Sequence, residues 1–279
     1  MLANARMSKK SARGYARVGA LARAAISAID APCVQARADA QRLRTLGARS
    51  IRITGNLKFD VQPDERQSAR GRELRAQLHG KRVLLWASTR EGEEAMLLEA
   101  LPRDAGVLVV IVPRHRQRFE EVAQLLSARG VRFERRSGGA VPDASCEVFL
   151  GDSLGEMALY YALADVALIG GGFRALGGQN LIEACAAGVP VVLGPHMYNF
   201  AEATRLALEV GAAVQCADAK AALREASLLL QDSERRAAMA EAARALGSRH
   251  RGATERHLEV CRQLITAQVP DSRLPGHPA

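Results

Sequence analysis

Residues 167–202 read ALIGGGFRALGGQNLIEACAAGVPVVLGPHMYNFAE, and their types and spacing suit the binding of an anionic ligand. An apolar run, Val166–Ile169, ends in Gly170–Gly172. A short basic loop leads to Gly177-Gly178-Gln179-Asn180, and a helical pattern opens at Leu181 with Glu183 in its first turn. A second apolar run, Val189–Leu193, ends in Gly194-Pro195-His196. Glycines at such turns let backbone approach an anion, and a helix N-terminus offers N–H groups to hold it. Glu183 would do something else, since a carboxylate accepts hydrogen bonds from sugar hydroxyls. The pattern therefore suits a nucleotide-sugar. It equally suits an ordinary Rossmann-type turn with a capping Asn180.

Other candidates lie at the ends of other apolar runs. Ser88-Thr89-Arg90 follows Arg82–Ala87, Pro113-Arg114-His115 follows Val107–Val112, and Gly151-Asp152-Ser153 follows Glu147–Leu150. Arg114 is the best single phosphate clamp, because its planar fork matches phosphate oxygens. Its alternative is a surface ion pair with Glu120. His115 and His196 suit acid–base work, or the shaping of loops beside their prolines. No His/Cys/Asp/Glu spacing predicts a metal site, and neither a Gly-x-Ser-x-Gly nor a Walker pattern occurs.

The elements that must position these residues alternate. Helices are expected over Glu65–Leu78, after Ser88-Thr89 as caps, up to about Arg129, over Leu154–Ala162, Phe200–Val210 and Lys220–Gln231, and over a charged tail Ser233–Thr266. Strands are expected at Arg82–Ala87, Val107–Val112, Val131–Glu134, Glu147–Leu150, Val166–Ile169, Val189–Leu193 and Ala213–Gln215. Strands that are apolar throughout and separated by helices predict a doubly wound parallel sheet. Ligands in that architecture sit at the carboxyl ends of the strands. Before Asp64 the pattern is weaker: Met1–Asp30 reads as short helical pieces, Gln35–Leu46 as a helix ended by Gly47, and Ile51–Ile53 as a short strand. The division expected is 1–55 as a basic helical segment and linker, 56–245 as the Rossmann-like domain, and 246–279 as a C-terminal helix with a disordered tail.

The charge is uneven. Residues 1–50 hold ten Lys/Arg against Asp30 and Asp39, so they account for nearly all of the chain's net charge of +9. Such a block suits anionic lipid or an acidic substrate better than nucleic acid, since Tyr15 is its only aromatic and no reader motif is present. Five scattered cysteines without CxxC spacing predict reduced, buried thiols. No apolar run reaches the roughly 20 residues of a membrane span.

Taken together, several motifs resemble the 3-deoxy-D-manno-octulosonic acid (Kdo) transferases of Gram-negative lipid A assembly. They are Gly55-Asn56-Leu57-Lys58-Phe59-Asp60, Ala87-Ser88-Thr89, Pro113-Arg114-His115 with Arg118-Phe119, and Gly178-Gln179-Asn180 with Glu183. Gly194-Pro195-His196 with Asn199-Phe200 and Glu202 completes the set, and the likeness extends to Asn4–Ser8 with Ser11 and Tyr15. It implies a GT-B glycosyltransferase that moves Kdo from CMP-Kdo to a tetraacylated lipid A precursor, inverting the anomeric centre without a metal. By that resemblance Asn180 and Glu183 bind the ribose or phosphate region of the donor, Arg114 contacts CMP, and Lys58 offers charge to the donor. Ser88 and Thr89 line the cleft, with His115, Gly178 and His196 beside it. Gln179 and Arg90 stand where the family usually has histidine.

The family acts at the cytoplasmic face of the inner membrane. Its first domain carries the membrane anchor, the acceptor surface and the catalytic base; the chain is expected to begin near that domain's end, so no catalytic base is assigned. Partners expected are CMP-Kdo, the lipid A precursor and an anionic membrane surface met by the basic block. Two alternatives stand: a CMP-binding module without transfer, or another GT-B enzyme using a UDP-sugar.

Overall fold

A computed structural model describes residues 1–268 except His79, Pro102, Arg103 and Ala140. The disordered tail expected after the last helix lies outside the described residues. The chain forms two compact units, Met1–Val61 with the chain from His250 onward, and Gln62–Arg249.

In the larger unit, seven strands make one parallel sheet. They are β4 (Arg82–Thr89), β5 (Val107–Pro113), β6 (Phe133–Arg135), β7 (Val148–Leu150), β8 (Val166–Ile169), β9 (Val191–Leu193) and β10 (Ala213–Gln215), in the order β10-β9-β8-β4-β5-β7-β6. Their apolar runs are explained by burial on both faces. Leu84 and Trp86 share one core with Val109, Ile111, Val166, Leu168 and Val192. Helices α5 (Glu93–Leu98), α6 (Arg118–Ala128) and α10 (Ala219–Gln231) contribute Leu97, Leu126 and Leu229 to it. Val83, Leu85 and Ala87 alternate to the opposite face and are equally buried. On β4 rests α7 (Met157–Leu163), and α4 (Glu65–Ala76) packs on α7. That crossing requires Gly71, where a Cβ would stand 2.5 Å from the Leu159 carbonyl oxygen.

The order places β4, first of these strands in the chain, between β5 and β8. The chain runs from β4 to β5 on one side and crosses from β7 to β8 on the other, which opens a crevice at the carboxyl ends of β4 and β8. The doubly wound parallel sheet is as expected. Helix α8 (Ile182–Ala186) and α9 (Ala201–Glu209) complete the region around the crevice, followed by α11 (Ser233–His250).

The smaller unit departs further from its expected form. Its sheet is parallel, in the order β1 (Leu2–Ala5), β2 (Pro32–Val34) and β3 (Arg52–Ile53). The first two strands have no strand signal: Leu-Ala-Asn-Ala and Pro-Cys-Val are short and poor in β-formers, and pairing and burial decide them. Between them α1 (Lys9–Val18) and α2 (Ala20–Ser27) agree with the short helical pieces expected. Helix α3 (Arg37–Thr45) ends in a Schellman turn, with Ala48 N–H donating to Leu43 O, Gly47 N–H to Arg44 O, and Gly47 at φ +99°. Asp39, 5% exposed, accepts from Met7 N–H at 2.9 Å and so ties α3 to the chain after β1. His257 accepts from Asn4 N–H at 2.9 Å through Nε2 and reaches Ala253 O at 2.7 Å through Nδ1.

The charged tail is two helices, not one. After α11 the chain breaks at Arg251-Gly252, with Gly252 at φ +86°, before α12 (Ala253–Gln268). Asp60, ending the 3-10 turn Leu57–Asp60, makes that break stable. Its carboxylate accepts from the N–H groups of Gly252 at 2.6 Å, Ala253 at 3.3 Å and Thr254, which α12 itself leaves unpaired. Burial opposes the charge on Asp60, but the Thr254, Gly252 and Ala253 hydrogen bonds outweigh it and hold the carboxyl below its usual range. A depressed carboxylate stabilises above its unfolded pKa, and that contribution disappears as pH falls through the folded value. Asp60→Asn is therefore expected to cost about 1–2 kcal/mol at pH 7 and progressively less toward pH 2, read from urea melts across pH. A loss independent of pH would contradict this capping role.

No described helix is long and apolar enough to cross a membrane.

Candidate nucleotide-sugar site

The carboxyl ends of β4, β5, β7, β8 and β9 lie on one edge of the sheet and carry the residues singled out in the larger unit. At the switch point the loops after β4 and β8 almost touch. Register shifts between Ala87 and Thr89, and the bulged residue is Ser88 at φ +57°. A left-handed serine costs on the order of 1–3 kcal/mol, the kind of strain that persists where surroundings impose it. Gly170 permits this close approach, since a Cβ there would stand 2.4 Å from Ser88 O and 2.7 Å from Thr89 Cα.

The other glycines act similarly. A Cβ on Gly194 would meet Gly172 C and O at 2.4 Å, and one on Gly178, at φ +78°, would meet Met197 Sδ at 2.4 Å. Their missing side chains make room for neighbouring loops, so the expectation that they open backbone to an anion is not what these contacts show. Backbone hydrogen bonds then join the loops: Gly178 N–H donates to Gly171 O at 2.8 Å, and His196 N–H to Gly172 O at 3.0 Å.

Asn180 and Glu183 form one device. Asn180 Nδ2 donates to Glu183 Oε1 at 2.7 Å while its Oδ1 accepts from Ile182 N–H at 3.1 Å. The asparagine thus caps the entry to α8 and orients the carboxylate, leaving Glu183 half-buried. Helix α8 is one short turn, and its first N–H, that of Ile182, serves Asn180. What the stretch presents is an aimed carboxylate.

On the other side of the crevice, Arg114 is exposed, its backbone N–H bound to Thr89 O at 3.0 Å. Its supposed partner, Glu120, pairs with Arg135 at 2.9 Å, and Arg135 also binds Asp152 at 2.7 Å. His115 is half-buried and its carbonyl accepts from Arg118 N–H at 3.0 Å, while His196 is exposed. Lys58 is exposed in the smaller unit, within the 3-10 turn Leu57–Asp60. Asp152 also accepts from Ser137 N–H at 2.8 Å and from its hydroxyl, so it holds the β6–β7 edge. Among the described residues no group of His, Cys, Asp or Glu could hold a metal ion.

Ser88 and Thr89 do not cap a helix. The strand runs through Thr89, and α5 begins only at Glu93 behind Gly92, φ +78°, with no side-chain cap. Thr89 Oγ1 instead donates to Glu94 Oε1 at 2.7 Å, and Arg118 binds Glu94 Oε2 at 2.8 Å. Glu93 and Glu94 are both 0% exposed. In the sequence they resemble solvated acids favouring a helix dipole, and their burial escapes that reading. The signal available is their place between the hydroxyl of Thr89 and the apolar run Met96-Leu97-Leu98. Burial, first, pushes the Glu94 carboxyl above its ordinary range, against the Thr89 hydrogen bond and the Arg118 charge.

A seven-stranded parallel sheet with its loops gathered at the switch point is the Rossmann-like fold of one half of a GT-B glycosyltransferase. A sequence model described as 3-Deoxy-D-manno-octulosonic-acid transferase (kdotransferase) matches residues 1–61, and one described as Glycosyl transferases group 1 matches residues 133–246. The chain is 46% identical over 269 residues to the 3-deoxy-D-manno-octulosonic acid transferase of Bordetella pertussis, covering 92% of this chain and 62% of that protein. To the protein of the same name from Haemophilus influenzae it is 32% identical, covering 96% of this chain and 65% of that protein. Among solved structures, the C-terminal CMP-Kdo binding domain of WaaA from Acinetobacter baumannii matches at a TM-score of 0.63 and 30% identity. That match covers 66% of this chain and 98% of the solved domain. The chain belongs to the 3-deoxy-D-manno-octulosonic acid transferase family. It spans just under two thirds of the length of the two curated relatives.

Proposed function

We propose that the chain is mainly the donor-binding half of a Kdo transferase, which moves Kdo from CMP-Kdo onto a lipid A precursor. The observation that carries this reading is the convergence of Ser88, Arg114, Asn180 and Glu183 on the carboxyl edge of a sheet, in a unit similar to a CMP-Kdo binding domain. Glu183 accepts hydrogen bonds from the ribose hydroxyls and Asn180 keeps it aimed. Arg114 clamps the phosphate by its fork. Ser88, His115, Gly178 and His196 line the crevice, and Thr89 shapes it from behind through Glu94. The donor is a substrate; no cofactor and no metal ion is assigned to the site.

The donor-binding domain is the compact unit Gln62–Arg249, where the sequence suggested 56–245, and the basic residues 1–55 belong with the acceptor side. Tyr15, Val18 and Leu21 are exposed beside Lys9, Lys10, Arg13, Arg17 and Arg23, which fits an anionic membrane surface at the cytoplasmic face of the inner membrane. Transfer with inversion requires a base and a bound acceptor, and no residue of this chain is assigned as the base.

The test is a transfer assay with CMP-Kdo and tetraacylated lipid A precursor, using this chain alone and together with the N-terminal part of a relative. Donor uptake by the chain alone, with transfer on adding the second part, is the expected result. Transfer of a sugar from a UDP donor, or no uptake of CMP-Kdo by the folded chain, would overturn the reading.

A further inference from the structure

We infer that Glu93, a residue outside the expected binding set, is a positioning residue for the donor nucleotide. The inference rests on the donor-site reading above. Its geometry is independent of that reading. Glu93 is 0% exposed, and a buried carboxylate must be compensated. Compensation comes from backbone. Oε2 accepts from Gly171 N–H at 2.7 Å and from Arg90 N–H at 2.9 Å, and Oε1 accepts from Phe173 N–H at 3.0 Å. One side chain therefore clamps the loop after β8 to the loop after β4, the two that bound the crevice.

The clamp extends to the ligand-facing residues through peptide groups. Gly171 gives its N–H to Glu93 and its carbonyl to Gly178 N–H at 2.8 Å, two residues before Asn180. Between these two bonded glycines lies Gly172, whose carbonyl takes His196 N–H at 3.0 Å. Glu93 thus fixes where Asn180 and Glu183 sit without touching the nucleotide. Glutamine cannot substitute. Whichever way its amide is turned, the NH2 confronts at least one of the three N–H donors. Alanine would release all three.

The test is calorimetric titration of the full chain with CMP at 10 °C, for the natural sequence, Glu93→Gln, Glu93→Ala and Leu229→Ala. Leu229 is buried in the core on α10, so it serves as a stability control. Glu93→Gln is expected to weaken CMP about tenfold and Glu93→Ala more, while folded Leu229→Ala binds normally despite a comparable drop in melting temperature. If Glu93→Ala does not fold, Glu93→Gln decides. Unaltered affinity in folded Glu93→Gln, or an equal loss in Leu229→Ala, would overturn the inference and leave the donor site standing. No uptake of CMP by the natural chain would overturn the donor-site reading itself, and the inference with it.

Discussion

Glu183→Ala is expected to weaken CMP binding by about 10- to 100-fold, since a charged hydrogen bond contributes about 1.5–3 kcal/mol and each 1.4 kcal/mol is tenfold. The structure gives reasons to expect a loss of function without a loss of fold. Glu183 is half-buried, and its carboxylate accepts from Asn180 Nδ2. Its removal leaves the Asn180 Oδ1 cap on Ile182 intact, so α8 persists. Asn180→Ala should show a smaller loss, because the carboxylate remains but swings free. Titration calorimetry with matched circular dichroism spectra checks both. A Glu183→Ala protein that binds CMP as the natural chain does would remove the ribose role.

Arg118→Met should have the largest effect on stability. Arg118 and Glu94 are 4% and 1% exposed at their side chains and 2.8 Å apart, so losing the guanidinium strands a buried carboxylate. Such a break costs about 3–5 kcal/mol, or roughly 10 °C in a domain of this size. The sign with pH follows from Glu94. Burial already raises its folded carboxyl above the ordinary range, and loss of the arginine raises it further. An acid whose pKa is raised by folding costs stability above the folded pKa, and that cost vanishes below the unfolded pKa. The deficit of Arg118→Met should therefore be greatest near pH 8 and shrink toward pH 4. Adding Glu94→Gln should recover part of it at pH 8. A deficit that is small, or flat with pH, would mean that water or another group serves the carboxylate. The turn after β5 is held by the backbone Arg118 N–H on His115 O, which Arg118→Met retains, so the turn that carries Arg114 should persist.

The legible part of the fold is the part written in buried side chains. Val107–Val112 and Val166–Ile169 are apolar because both faces of the sheet are covered, and each announces its strand. Leu2–Ala5 and Pro32–Val34 announce nothing, since their strand character comes from pairing with one another. The tail reads as one helix because the break depends on Asp60, far away in sequence, receiving the first N–H groups of α12. At the site, Asn180 and Glu183 are legible by spacing, and the positions of Ser88 and Arg114 follow from the strand ends. Glu93 and Glu94 are not: adjacent acids at a helix start look solvated. Only the fold reveals that one meets three peptide N–H groups and the other a buried arginine.

The central claim is a donor site for a cytidine nucleotide, and its most direct test is calorimetric titration of the chain with CMP against UDP. The account predicts selective uptake of CMP, lost in Arg114→Ala and Glu183→Ala. Equal binding of both nucleotides, or none by a chain whose circular dichroism spectrum shows the α/β fold, would contradict it.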